Sequence, residues 1–142
     1  MSKGNTFEND LLKLIFNATT IANIAINATS SPLTVLWVSL HTADPGEAGA
    51  QNTSEATYGG YARVSVARTT AGWTVTNNSV SPVATISFPA ATSGTNTITH
   101  AAVGTASSGA GKILYKGTVT PNLSISAGYT PRLTTLSAAT ED

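Results

Sequence analysis

Residues 33–49 carry the sequence LTVLWVSLHTADPGEAG, in which an apolar run ends abruptly at a turn. The apolar run 33–40 is typical of a buried β-strand. The Asp-Pro-Gly sequence at 44–46 then has the order that a tight turn requires, because Asp bonds the turn backbone, Pro fixes φ and Gly accepts a positive φ. Small and polar residues continue from there to the next strand-like segment, which begins at Tyr61. This pattern predicts a buried strand that leads into a long, nearly uncharged loop at one end of a β-rich body.

Short strand-like segments separated by turn residues continue through the rest of the chain. We predict strands at 33–41, 61–68, 73–76, 84–88, 97–104 and 112–120, with one or two more within 123–136. Segments rich in Gly, Ser and Asn separate them at 70–72, 77–79 and 107–111. Such a series is typical of a sandwich or barrel. The predicted fold class is mainly β, a single jelly-roll or Greek-key antiparallel β-sandwich with an N-terminal helix.

A helix is predicted over residues 6–17. Asn5 is placed to act as N-cap, and Glu8 follows it at the spacing of a capping box. Apolar side chains recur at helical spacing on one face, namely Phe7, Leu11, Leu14 and Ile15, and Leu12 and Phe16 widen the apolar surface beyond that face. One apolar side is therefore expected to pack on the β-body, and a second side is available to another subunit. Periodicity leaves open whether residues 18–31 form a second helix or an extended arm. The predicted organisation is a helix and arm at 1–32 and a β-sandwich domain at 33–142.

Composition restricts the classes of partner. The chain has 142 residues, of which 41% are hydrophobic, so it can form one domain with a continuous core. Only 10% of the residues are charged and the formal net charge is zero, whereas soluble domains average roughly 25% charged residues. Lys and Arg are scattered, which argues against binding to nucleic acid or to an anionic membrane. A surface with so few charges favours burial against neighbouring subunits, although Ser, Thr and Asn alone can keep a chain soluble.

Targeting and redox features are also few. There are no cysteines, so disulfides and thiolate metal sites are excluded. We expect no signal peptide, because the first residues lead into an amphipathic segment, and no membrane-spanning run.

The sequence offers little catalytic chemistry. His41 and Asp44 are neighbours, but a triad or a zinc site requires further groups at defined spacing, so we interpret them as a strand end and a turn. Asp44, Glu47 and Glu55 share one loop without the spacing of a calcium loop. The Gly-Ala-Gly-Lys sequence at 109–112 lacks the first Gly and the hydroxyl residue of a phosphate loop, and it predicts a hairpin turn. The chain is therefore expected to be no enzyme and to hold no metal or cofactor.

Several blocks of the sequence together resemble a known family. The blocks are FENDLLKLIFNATTIANIA, LHTADPGEAG, YGGYARVSVAR, GWTV, ISFPAAT, HAAVGTASSGAGKILYKGTV and TPRLTTLSAATED. Over about residues 7–142 the chain resembles small structural proteins of tailed bacteriophages, the capsid cement (decoration) proteins, some of which carry a tail-fibre label. The resemblance implies a jelly-roll-like sandwich that binds the outside of an HK97-type capsid and bridges neighbouring capsomers, with no catalytic residues.

Taken together, these observations predict a virion protein on the capsid exterior, assembled in the host cytoplasm. Its expected partners are the major capsid protein and further copies of itself, as a dimer or trimer. The alternative is a tail-fibre or baseplate module that binds a host glycan through Tyr58, Tyr61 and Trp73. Deletion of 44–57 is expected to leave the sandwich folded but to weaken binding to the particle. The candidate protein-contact residues are Asp44, Pro45, Glu47, Glu55, Tyr58, Tyr61, Phe7, Leu11 and Phe16.

Overall fold

A computed structural model describes residues 5–21 and 32–140. Helix α1 covers Asn5–Asn17. The strands within these described residues are β1 (Val35–His41), β2 (Val64–Ala67), β3 (Trp73–Thr76), β4 (Ser79–Pro82), β5 (Ile86–Ser87), β6 (Asn96–Gly104), β7 (Ile113–Ile125), β8 (Arg132–Leu133) and β9 (Ala139–Thr140). The predicted class, mainly β with antiparallel sheets and an N-terminal helix, is confirmed, and these sheets are consistent with a sandwich. The open question about residues 18–31 falls mostly on 22–31, outside the described residues.

Backbone contacts divide the chain into two compact units. The first comprises the described residues of Met1–Val35, Val66–Thr85 and Thr134–Asp142, and the second comprises Leu36–Ser65 and Ile86–Leu133. Within the first unit α1 packs against β3 and β4.

The first unit is built from α1 and the three-stranded sheet β3-β4-β9. Phe16 of α1 meets Trp73 of β3 edge to face, with their ring centroids 4.8 Å apart. The guanidinium of Arg68 donates hydrogen bonds to the carbonyls of Leu14 and Ile15. Carbonyls in the last turn of a helix lack intrahelical partners, so Arg68 caps the C-terminal end of α1.

The buried face of α1 differs from the predicted one. Leu12 and Phe16 are completely buried, whereas Phe7, which belongs to the apolar face predicted from spacing and is a candidate contact residue, is 39% exposed. Glu8 continues the buried stripe one turn before Leu12 and is itself buried. Because Glu8 is acidic, apolar spacing does not reveal this stripe and instead predicts the face that carries Leu11.

Strands β4 and β9 were not predicted. Residues 77–79 were interpreted as a turn between longer segments, but Asn77 is a tight hairpin position with φ of 54° and β4 begins at Ser79. Strands β3 and β4 pair from Trp73↔Pro82 to Thr76↔Ser79, and β4 then pairs with β9. Strands this short depend on their partners, so local sequence carries little signal for them.

The second unit is built on the sheet of order β2-β1-β6-β7, together with the small pair β5-β8. In β1 the buried residues are Leu36, Val38, Ser39, Leu40 and His41. Strand β1 pairs with β6 from Trp37↔Gly104 to His41↔His100. Strand β7 is longer than predicted, and its pairing with β6 jumps from His100↔Thr118 to Ile98↔Leu123, so residues 119–122 bulge from the sheet edge.

The assignment of the helix face is testable with a matched pair of substitutions. Leu12→Ala empties a fully buried site, so we expect it to lower the free energy of unfolding by about 2–5 kcal/mol. Leu11→Ala has the same change in helix propensity but acts at a half-buried site, and a loss of about 1 kcal/mol is expected. Urea unfolding followed by tryptophan fluorescence measures both values. Equal losses for the two variants would contradict the buried face described here.

Candidate functional site

The loop that follows β1 returns to the sheet beside the point at which it leaves. At its base the Thr42 amide donates to the Ser54 carbonyl over 2.8 Å, and the Ala56 amide donates to the Leu40 carbonyl over 2.9 Å. His41 and Glu55 face each other as an isolated antiparallel bridge. We name residues 42–55 the closed loop, because these hydrogen bonds join its two ends.

The tip of the closed loop contains the predicted turn. Asp44 Oδ1 accepts a hydrogen bond from the Gly46 amide over 2.8 Å, and Gly46 has φ of 76°. The backbone turn lies slightly later than predicted, since the Gly49 amide reaches the Gly46 carbonyl. Lys116 of β7 lies 2.9 Å from Asp44 Oδ1 and 3.1 Å from Glu47 Oε1. Exposed ion pairs of this kind add little stability, so they orient the tip more than they hold it.

These contacts also shift two ionisation equilibria. The Gly46 amide, followed by Lys116, lowers the pKa of Asp44 below its ordinary value. Asp44 and Glu47 raise the pKa of Lys116. The tip therefore keeps both signs of charge at neutral pH.

Gln51 anchors the middle of the closed loop. Its side chain is completely buried; Nε2 donates to the Trp37 carbonyl over 3.1 Å and Oε1 accepts from the Ala106 amide over 3.0 Å. Its backbone amide donates to the Gly111 carbonyl over 2.8 Å. A Cβ added at Gly104 would collide with the Gln51 side chain and with the Lys112 carbonyl. Glycine at this position therefore makes room for the anchor.

A buried ion pair fixes the end of the closed loop. Arg63 Nε lies 2.7 Å from Glu55 Oε1, and Nη2 lies 2.8 Å from Oε2, which makes a bidentate pair. The same guanidinium donates to the carbonyls of Ala106 and Gly109. Tyr61 completes the cluster, because its hydroxyl donates to Glu55 Oε1 over 2.9 Å and accepts from the Leu40 amide. Hydrogen bonds to Glu55 raise the pKa of Arg63, so the guanidinium stays charged.

His41 joins β1 to the closed loop. The ring is fully buried; Nδ1 lies 2.8 Å from the Thr53 carbonyl and Nε2 lies 2.9 Å from Ser39 Oγ. Burial lowers the pKa of His41, and the hydrogen bond to Thr53 opposes this effect. Ser39 and His41 have the chemistry of a catalytic pair, but both side chains are closed to substrate in this conformation.

The expected aromatic platform is absent from the described surface. Tyr58 and Trp73 are buried, and the Tyr58 hydroxyl donates to the Pro89 carbonyl. The Tyr61 ring lies edge-on to Tyr58 at 5.3 Å and stacked on Phe88 at 6.4 Å. Burial raises the pKa of Tyr58 to about 12 and also raises that of Tyr61. Tyr58 and Trp73 therefore present no open face to a sugar, and Tyr61 is half-buried.

The nine predicted contact residues fall into three groups. The exposed ones are Asp44, Glu47 and Phe7. The half-buried ones are Leu11, Glu55 and Tyr61. Pro45, Tyr58 and Phe16 are buried within the chain and present no surface to a partner in this conformation. The structure also argues against a harmless deletion of 44–57, because that segment contains the buried residues Gln51 and Ala56.

Sequence reasoning missed the groups that organise this region. Ser39 stands inside an apolar strand, which is a weak signal for a buried hydroxyl. Gln51 stands among Ala, Asn and Thr with nothing to mark it as buried. Arg63 alternates with valines, a pattern typical of a side chain that faces solvent, but it is 6% exposed. Gln51 and Arg63 both take a partner that is far away in the sequence, Ala106.

The described part of the chain contains neither a metal-binding cluster nor a membrane-spanning helix. Within residues 5–21 and 32–140, no cluster of three or more His, Cys, Asp or Glu side chains is arranged to hold a metal ion. Among the same residues, none of the helices combines the length and apolar character needed to span a membrane.

Comparison with known families identifies the class of protein. The chain is a structural protein of a bacteriophage, and so a component of the virion. It belongs to the family described as Podophage GP4 fiber I protein gp80, which matches residues 2–140. No curated protein matches the chain. The family description points to a fibre.

The role of Gly104 as space for Gln51 is testable. Gly104→Ala forces a shift of a buried, doubly bonded amide, and a loss of about 1–3 kcal/mol in the free energy of unfolding is expected. Gly117→Ala in the neighbouring strand is the control, since no described atom lies within 4 Å of its added Cβ. Denaturant unfolding of both variants gives the comparison. A neutral Gly104→Ala would show that Gln51 is not a fixed anchor.

Proposed function

We propose that this chain is a non-catalytic building block of the phage fibre apparatus. The observation that carries the proposal is the family match, which covers residues 2–140 and bears a fibre description. The geometry supports it, because the buried side chains of His41, Gln51 and Arg63 are engaged in internal hydrogen bonds. Groups used in this way hold a structure together and do not turn over a substrate.

The tip of the closed loop is the part of this region best suited to meet another virion protein. The Asp44 side chain is 51% exposed and that of Glu47 is 95% exposed, while the base of the loop is fixed by buried anchors. A loop held rigidly by a scaffold loses little conformational entropy on binding. The tip carries two carboxylates and one ammonium group, so we propose a partner surface that offers Lys, Arg or backbone amide donors.

The capsid-cement role remains a prediction beside the fibre role. It places the chain on the capsid exterior, bound to the major capsid protein and associated with itself as a dimer or trimer. Few charges suit either location, since both bury much of the surface against neighbours. The fibre description of the matched family favours the fibre, so we place the chain there.

Location and copy number separate the two roles. Purified particles are dissociated into heads and tail structures, and the chain is quantified in each fraction by mass spectrometry against the major capsid protein. We expect it in the fraction that carries fibres, at a copy number far below that of the major capsid protein. Recovery with heads, at a number comparable to the major capsid protein, would overturn the fibre role in favour of cement.

A charge reversal at the tip tests the proposed contact. Glu47→Arg acts at a fully exposed side chain, so the free energy of unfolding should change by no more than about 0.5 kcal/mol. We expect incorporation into particles to fall, because a like charge then faces the donors of the partner. Arg132→Glu reverses an exposed charge in β8 and is the control. Equal incorporation of the Glu47 variant and the wild type would exclude the tip as a contact.

A further inference from the structure

We propose that Ser39, His41 and Thr53 form an acid-sensitive latch, which keeps the closed loop shut at neutral pH and releases it in acid. The latch lies at the junction of β1 and the loop, where the closing hydrogen bonds of Thr42 and Ala56 also lie. The inference concerns the loop itself and does not depend on where the chain sits in the virion.

The hydrogen bonds of His41 define its neutral state. A carbonyl oxygen only accepts hydrogen bonds, so the Nδ1 atom that faces the Thr53 carbonyl carries the ring proton. In the neutral ring Nε2 is then an acceptor, and the Ser39 hydroxyl, 2.9 Å away, donates to it. The buried ring is satisfied at both nitrogens without any charge.

Protonation disturbs this arrangement at Nε2. The charged ring donates from both nitrogens, so Ser39 must turn its hydroxyl proton away from Nε2. The other acceptor near Ser39 is the Ala102 carbonyl at 3.4 Å, which is long for a hydrogen bond from a hydroxyl. An imidazolium would thus remain in a dry site beside a weakened hydrogen bond.

The charged groups around His41 do not compensate. His100 of β6 faces it directly across the strand pair, and a second positive charge there would repel it. Glu55 favours the charged ring, but both of its carboxylate oxygens are already held by Arg63, which itself disfavours that charge. Burial remains the largest influence, and it lowers the pKa of His41.

Opening the closed loop at residues 52–54 is the smallest movement that exposes the His41 ring to water. Thr53 contributes the carbonyl that covers Nδ1, and Asn52, Thr53 and Ser54 are all exposed on their outer side. One layer of backbone therefore separates His41 from solvent. Displacing it hydrates the imidazolium and breaks the Thr42–Ser54 hydrogen bond, while Gln51 and Arg63 keep their partners.

The direction of the pH effect follows from linkage. The pKa of His41 is lower with the loop closed than in an open or unfolded chain, where it is about 6.5. The closed state is therefore fully favoured above pH 6.5 and loses stability as the pH falls from there toward the lowered value. Each unit between the two pKa values corresponds to an approximately tenfold change in the opening equilibrium.

Amide exchange measured by NMR tests the latch. Protection of the Thr42 amide, corrected for the intrinsic rate at each pH, should fall between pH 7.5 and pH 5, by about tenfold per unit of pKa shift of His41. Protection in the β3–β4 pair should stay constant. His41→Gln, which cannot titrate, should lose the pH dependence, and the control His100→Gln should keep it.

The wild type alone also decides the question, should the His41 variant fail to fold. Its His41 ring signals should titrate below 6.5 together with the change in protection. Constant protection of the Thr42 amide across the titration of His41 would overturn the latch. So would an unchanged pH dependence in a folded His41→Gln variant.

Discussion

Every polar group buried beneath the closed loop has to find a hydrogen-bond partner inside the chain, and the second unit is arranged around that requirement. An unpaired buried polar group costs about 1–3 kcal/mol, which is a large part of the stability of a small domain. Gln51 takes its partners from Trp37 and Ala106, and Arg63 takes Glu55 and two carbonyls. The closed loop is long and poor in apolar residues, so these polar anchors fix it to a unit whose core is otherwise apolar.

The scarcity of charge follows from the same arrangement. Arg63 is almost completely buried, and it contributes hydrogen bonds to the loop after β6 in place of surface charge. In the first unit Arg68 has a similar role, with its guanidinium on the carbonyls at the end of α1. A guanidinium has five donors and remains charged under all ordinary conditions, so it suits clusters of carbonyl acceptors. Two of the few cations are therefore structural.

The parts of the fold that local sequence predicts are those with strong local patterns. The predicted bounds of β3 agree with the observed ones, and those of β1 and β6 agree within two residues. The hydrogen bond between Asp44 and the turn backbone follows from the Asp-Pro-Gly order. Strand β9 has two residues, and its position depends on pairing with β4. No local rule identifies such a strand.

The contact residues were harder to predict for a related reason. Exposure of a loop residue depends on what lies beneath it, and here the closed loop folds back onto the sheet. Tyr58 and Pro45 looked like surface residues beside small neighbours, but both lie inside. Gln51 looked like an ordinary loop residue and is completely buried. Periodicity and motifs do not predict the burial of such polar residues, because that burial depends on partners that lie far away in the sequence.

The polar base of the closed loop makes its attachment to the sheet depend on pH, which a hydrophobic base would not do. Apolar burial is nearly independent of pH, so a loop held by leucines stays closed at every pH at which the chain is folded. A loop held by a neutral histidine, a carboxylate–guanidinium pair and an amide has one anchor that titrates below neutral pH and two that keep their partners. Because Gln51 and the Glu55–Arg63 pair hold the loop independently of His41, loss of the histidine contact loosens one segment without freeing the whole loop. The tip that carries Asp44 and Glu47 can therefore keep its own turn while its attachment to β1 weakens. The residues that would contact a partner are thus different from the residues that respond to pH.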